Sequence, residues 1–328
     1  MAAEHISIDG AHIALFSEFI AYKRNLGYGY PQQTVHLISR FSRFLARFPT
    51  EESILTKELV DAYCEPSEGE AVSTVNKRLS ISRQFALYLR SIGIDCYVPP
   101  EHHQKKPDAF MPYIISESEM SDIIKYADSQ PFIPHASTTK AVYSMLLRML
   151  WCCGLRLSEA LHLRLGDVDI DAGVLTVRRA KYNQIRLIPL SQTLLDYTRS
   201  YWIEMRFPGK NSDAFFFPNH RSECYSRHSS ATYMKRLMLR AGVTKDGIKP
   251  PRVHDIRHSY AIRALKKMAD ENVDIYCALP MLSIFMGHSD IISTEYYLRL
   301  TGHAFPDIAS SMEQAYAGVF PEVRNESC

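Results

Sequence analysis

The stretch YVPPEHHQKKPDAFMP, Tyr97 to Pro112, sets four prolines in one short polar segment. A proline ring fixes φ and removes a backbone donor, so neither a helix interior nor a central strand can run through such a run. With 328 residues the chain exceeds what one hydrophobic core usually serves. The segment 98–113 is therefore expected to be a linker between an N-terminal domain, 1–97, and a larger domain, 114–328.

The two sides differ in pattern. In the first hundred residues, Ile13, Phe16 and Ile20 recur at helical spacing before Gly27-Tyr28-Gly29, and Val35, Ile38, Phe41 and Leu45 form a second stripe. Val75, Leu79, Ala86 and Leu89 form a third, ended by Gly93, and Thr56 to Tyr63 suggests a short helix between them. A small all-helical domain is expected. The larger part mixes helices with a little sheet. Helices are expected over Glu117–Ala127, Thr138–Trp151, Thr193–Arg206, Ser229–Arg240, Asp255–Ala269, Met281–Met286 and Ser293–Leu300, with Ser158 capping a further helix through Leu161. Val174–Arg179 and Ile185–Pro189 are β-favouring runs at hairpin spacing, with Lys181 at or near the turn. The fold class is thus mainly α with a small β-hairpin or sheet.

Composition narrows the class. An apolar fraction of 46% and a charged fraction of 23% are those of a globular protein, and no window approaches the ~18 apolar residues that a membrane helix needs. Lys and Arg number 38 against 36 Asp and Glu, so total charge does not advertise a polyanionic partner. The distribution is more informative: Arg148, Arg156, His162, Arg164, Arg178, Arg179, Lys181 and Arg186 crowd one part of the chain, consistent with a basic surface or with a solvated face. Seven cysteines, with Cys152 and Cys153 adjacent, fit reduced thiols in a cytoplasmic protein better than a disulfide framework.

Four short stretches stand out: CGLRLSEAL with Arg156, RRAKYNQIRLIPL with Lys181, HDIRHSYA with His254 and Arg257, and MGHSD with His288, followed by Tyr296 and Tyr297. Alone, each has an ordinary reading: a surface arginine, a turn lysine, a chance pair on a helix, a capping histidine, aromatic filler. His254 and His258, four apart, share a helix face, but the glutamate of a HExxH zinc site is missing and no metal is expected. Glu159 and Asp255 flank the motifs and could orient Arg156 or His254, but capping a helix or pairing at the surface is the reading favoured, and neither is counted as catalytic.

As an ordered set, these residues resemble the tyrosine site-specific recombinases, the phage-integrase family, from about Ile114 to Leu300, and more loosely in the N-terminal segment. The resemblance implies an all-α, SAM-like core-binding domain followed by an α+β catalytic domain. It implies that Arg156, Lys181, His254, Arg257 and His288 serve catalysis, and that Tyr297, nine residues after His288, is the nucleophile rather than Tyr296. His258 continues the family's Arg-His variant. Two departures are visible: Tyr182 stands where a glycine often follows the lysine, and the segment between Arg257 and His288 is a few residues longer than is common.

The implied chemistry suits these residue types. A phosphodiester repels nucleophiles until its charge is neutralised, and arginines fork hydrogen bonds to its oxygens while staying protonated. A phenol with a pKa of ~10 needs a base, for which His254 is the candidate, and a departing 5′ oxygen needs an acid, for which Lys181 is the candidate. The product would be a 3′-phosphotyrosyl bond, with neither ATP nor a metal required and no cofactor. The implied partner is double-stranded DNA, bound by four protomers on two sites, with the C-terminal segment exchanged between neighbours. His303 to Phe320, where Ile308, Met312 and Tyr316 share a face, is the candidate for that helix. A recombinase of the integrase or transposase type is expected, with integration, excision, transposition and dimer resolution all left open by the sequence; relaxation of the type IB topoisomerase kind and a non-catalytic DNA-binding accessory factor are the alternatives.

Overall fold

A computed structural model describes residues 9–10, 12–30, 32–48, 54–101, 111–131, 138–178, 185–287 and 297. The chain divides between Phe110 and Met111 into two compact units. Among the described residues, no helix is long and apolar enough to cross a membrane.

Among the described residues, unit 1 holds four helices: α1 (Ile13–Asn25), α2 (Gln32–Leu45), α3 (Lys57–Cys64) and α4 (Val72–Ser91). The apolar stripes meet in an aromatic core, where Phe16 stacks on Phe85 with centroids 4.0 Å apart and Phe41 meets Phe16 edge-on at 5.7 Å. Phe19 joins them, fully buried, while Ile13 at the start of α1 stays exposed. Thr56 caps α3 by accepting the Leu59 N–H at 3.3 Å, and Tyr97 donates its N–H to the Leu55 carbonyl, so the end of the unit returns to its middle.

Unit 2 runs α5 (Glu117–Asp128), α6 (Thr139–Cys153), α7 (Leu157–Leu161), a 3-10 turn at Leu165–Asp167, β1 (Val168–Asp169), β2 (Val174–Arg178), β3 (Ile185–Pro189), α8 (Gln192–Glu204), α9 (Arg227–Arg240), α10 (Val253–Asp270) and α11 (Ile275–Met286). The small first strand escaped the reading of periodicity because it has only two residues. α11 begins earlier than its apolar run suggested and carries Pro280 in its interior. Ser116 and Glu119 form a reciprocal capping box at the head of α5.

The three strands form an antiparallel sheet in the order β1-β2-β3, with Leu175 opposite Ile188 and Val177 opposite Arg186. Leu175, Val177 and Ile188 face inward and are buried. Because strand faces alternate, Arg186 shares their inward face, while Ile185 and Leu187 point outward, 57% and 65% exposed.

α6 is buried nearly all round and packs against α5, α8 and α10. It ends at Gly154, whose φ of +60° supplies the left-handed residue that helix ends commonly need. Any Cβ there would collide with the Tyr260 ring. Gly154→Ala should therefore destabilise unit 2 by about 2–3 kcal/mol, from positive-φ strain and overpacking together. Both tryptophans, Trp151 and Trp202, lie in unit 2, so their fluorescence follows its urea transition alone. A midpoint unchanged from wild type would contradict this packing argument.

Candidate active site

Past the left-handed turn at Gly154, the backbone extends at Arg156 (φ −70°, ψ 143°) and α7 begins. Ser158, expected to cap this helix, lies inside its first turn. Glu159 does the capping instead, its Oε2 accepting the Arg156 N–H at 2.9 Å. The same Arg-x-x-acid arrangement starts the 3-10 turn, where Asp167 accepts from the Arg164 N–H, and α10, where Asp255 accepts from the Arg252 N–H. Three bends near one another in the fold thus share one local device.

Glu159 does more than cap. Its Oε1 accepts Nη1 of Arg156 at 2.7 Å and Nη1 of Arg186 at 3.2 Å, and its Oε2 accepts Nη2 of Arg186 at 2.7 Å. Nη1 of Arg257 stands 3.9 Å from Oε2. Glu159 and Arg186 are nearly buried, with side chains 9% and 11% exposed, and Arg257 is down to 2%. Burial raises the cost of ionising Glu159, but the arginines outweigh it, the Arg186 bonds first and the Arg156 donors after, and the carboxyl is held down at about 2. Arg257 is brought down to about 10 by burial and by the charge of Arg156, so it remains a cation at neutral pH.

The guanidiniums also meet backbone carbonyls. Arg257 donates to the Gly154 oxygen at 2.7 Å and to the Met286 oxygen at 2.6 Å, and Arg156 donates to the Gly287 oxygen at 3.0 Å. Two arginines from separate stretches of sequence thus converge on the end of α11, one residue before His288. Gly287 has φ +65°, and a Cβ on it would collide with the Arg186 guanidinium.

His254 sits in the first turn of α10, one position before Asp255. The residue is exposed, yet the protein atoms around it, together with the charges of Arg257, Arg252 and Arg156, lower it to about 4. At neutral pH it is an uncharged imidazole that can accept a proton. Its ring meets that of His258 edge-on at 4.7 Å, and His258 in turn lies 5.4 Å from the Tyr297 ring. Among the described residues, no group of three or more His, Cys, Asp or Glu is placed to hold a metal ion.

Tyr297 is 2% exposed, packed with Ala261, Ile262 and Leu265 of α10 and with Ala278, Leu279, Leu282 and Met286 of α11. It is close enough to Arg257 for the two charges to act on each other. Of the six candidate residues, Arg156, His254, Arg257 and Tyr297 therefore lie in one neighbourhood, while Lys181 and His288, with Tyr296, fall outside the described residues. Among the described residues of the basic cluster, Arg148 pairs with Asp128, Arg178 with Asp167, and Arg156 and Arg186 with Glu159. The signal that could have revealed Arg186 is the inverted alternation of Ile185-Arg186-Leu187-Ile188, which puts a charge on the inward face.

The profile of the Phage integrase family matches residues 114–303, more than half of the chain. The putative integrase/recombinase y4rB of Sinorhizobium fredii is 28% identical over 289 residues, covering 86% of this chain and 90% of its own. The tyrosine recombinase XerD of Neisseria meningitidis is 27% identical over 234 residues, covering 70% of this chain and 73% of its own. Among solved structures, the Tn1549 transposon integrase in complex with transposon right end DNA superposes with a TM-score of 0.64 at 16% identity, covering 93% of this chain and 99% of its own. The XerH site-specific recombinase bound to difH in a post-cleavage complex gives 0.63 at 15% identity, with coverage of 94% and 92%. The converging arginines, the buried tyrosine and the matched sequence lead to one conclusion: this chain belongs to the phage integrase family, the tyrosine site-specific recombinases that cut and rejoin DNA strands.

Proposed function

We propose that Tyr297 is the nucleophile of a site-specific recombination reaction on duplex DNA, served by Arg156, Lys181, His254, Arg257 and His288. The observation that carries this reading is the convergence of Arg156 and Arg257 on the carbonyl oxygens of Met286 and Gly287, beside Tyr297. Donors gathered around partly negative oxygens form the kind of nest that a nonbridging phosphate oxygen would enter. The phenolic oxygen forms a bond to phosphorus as the bond from phosphorus to the 5′ oxygen breaks. The phenolic proton passes to His254, and Lys181 gives a proton to the leaving 5′ oxygen. Because one ester replaces another, the 3′-phosphotyrosyl link keeps the bond energy for rejoining, without ATP or a metal. Tyr297 has to leave its apolar bed against α10 and α11 to reach the phosphate, so productive DNA binding includes displacement of that ring.

In this reading residues 1–97 form a DNA-binding domain, 98–113 a linker and 114–328 the catalytic domain. Four protomers act on two DNA sites, in the cytoplasm, with the segment 303–320 exchanged between neighbours. Integration or transposition of a mobile element is the role in view, by analogy with the Tn1549 integrase.

A nicked DNA site releases a short fragment after cleavage and traps the covalent adduct. Wild type and Tyr296→Phe should form that adduct and Tyr297→Phe should not. Adduct from Tyr297→Phe, or its loss only in Tyr296→Phe, would overturn the assignment. The rate of adduct formation at limiting DNA reports groups of the free enzyme. With His254 lowered to about 4 rather than its ordinary 6.5, that rate should stay level as pH falls from 7 past 6.5 and decline only as pH approaches 4. A half-loss near pH 6.5 would contradict His254 as the base in this environment.

A further inference from the structure

Arg186 is the third guanidinium on Glu159, and the reaction as proposed makes no use of it. Its place follows from the strand register: opposite Val177 on the inward face of the sheet, the side chain is 11% exposed and needs an anion. Glu159 provides it. Four short donors, the Arg156 N–H and Nη1 together with both terminal nitrogens of Arg186, fill the two carboxylate oxygens at 2.7 to 3.2 Å. Arg257 is left outside this set, 3.9 Å from Oε2, with its own donors on the Gly154 and Met286 carbonyls.

The charge count gives this geometry a consequence. Three cations share one anion, so the cluster keeps a surplus of two positive charges. Without Arg186 the surplus falls to one. Both carboxylate oxygens would also open toward Arg257, and the attraction between opposite charges grows as they approach. An arginine drawn onto a carboxylate has fewer donors and less net charge to offer a phosphate.

We propose that Arg186 is a positioning residue: by saturating Glu159, it keeps Arg156 and Arg257 available, in charge and in place, to the scissile phosphate. Arg186 itself does not touch DNA in this account. It also fills the space under Gly287, where any Cβ would strike its guanidinium, and so supports the turn immediately preceding His288 in sequence. The inference rests on the Tyr297 reading and names a residue outside the six that reading uses.

The test compares two nicked substrates under single-turnover conditions at saturating DNA, one with an ordinary phosphodiester and one with a methylphosphonate at the cleavage position. The methylphosphonate carries no charge on its nonbridging oxygen and has less need of cations. Arg186→Met should lose on the order of 100-fold in adduct formation on the phosphodiester, the size typical of one removed transition-state donor. On the methylphosphonate it should stay within a few-fold of wild type. Arg186→Lys, which keeps the charge but not the planar fork, should fall between wild type and Arg186→Met on the phosphodiester. An equal loss on both substrates, or no loss on the phosphodiester, would overturn the proposal. Should Arg186→Met fail to fold, Arg186→Gln makes the same comparison. Failure of the wild-type protein to form any adduct would count against the Tyr297 reading instead.

Discussion

Unit 2 of this chain is organised around one buried negative charge. Glu159 closes the first turn of α7 through the Arg156 backbone and binds the Arg156 and Arg186 side chains. It also stands within 3.9 Å of Arg257, which comes from α10, a hundred residues further along the chain. A lone carboxylate in such a place would take up a proton, and three guanidiniums packed together without it would repel one another. Each side makes the burial of the other tolerable, and the result is a net positive cluster held in place by the protein itself. Preorganisation of this kind suits phosphoryl chemistry, where most of the protein's contribution lies in positioning and neutralising charge.

The backbone completes what the side chains start. Gly154 turns α6 into Arg156 and offers its carbonyl to Arg257, and the carbonyls of Met286 and Gly287 end α11 against the same arginines. These contacts tie α6, α7, α10 and α11 together at one point, so the site is also a structural joint of unit 2. Tyr297 lies against α10 and α11 a short distance away, buried in aliphatic side chains. In the proposed reaction, leaving this bed has an energetic cost that DNA binding offsets.

Much of this was legible in the sequence. The helical stripes of unit 1 meet in the core as their spacing implied, because a 3.6-residue period leaves an amphipathic helix little choice of face. The hairpin pairing of Val174–Arg178 with Ile185–Pro189 followed from β-branched runs at turn spacing. The order of arginine, lysine, histidine and tyrosine pointed to the family, and four of its six positions lie together in the described fold. Glu159 was legible as a helix cap and as a partner for Arg156, but its burial and its pairing with Arg186 were not, for a physical reason. Polar residues are ordinarily assigned to the surface, and a buried ion pair becomes visible only when strand register and helix packing bring its halves together. Ser158 misled because its type favours capping, whereas a glutamate one residue later reached the same backbone donor. The basic cluster between Arg148 and Arg186 stayed open between a basic surface and a solvated face, since pairing with Asp128, Glu159 and Asp167 is a tertiary event that charge counting along the chain does not register.

The claim that a single carboxylate holds these arginines can be measured directly by a double-mutant cycle on stability. Urea unfolding of wild type, Glu159→Gln, Arg186→Gln and the double variant, followed by the two tryptophans of unit 2, yields the coupling between the two side chains. A bidentate pair at this depth should give a coupling of about 2–4 kcal/mol, because Glu159→Gln leaves the buried Arg186 without its anion, a cost that disappears when Arg186 is also neutral. Additivity to within about 0.5 kcal/mol would show that the two charges do not depend on each other, and would contradict the account.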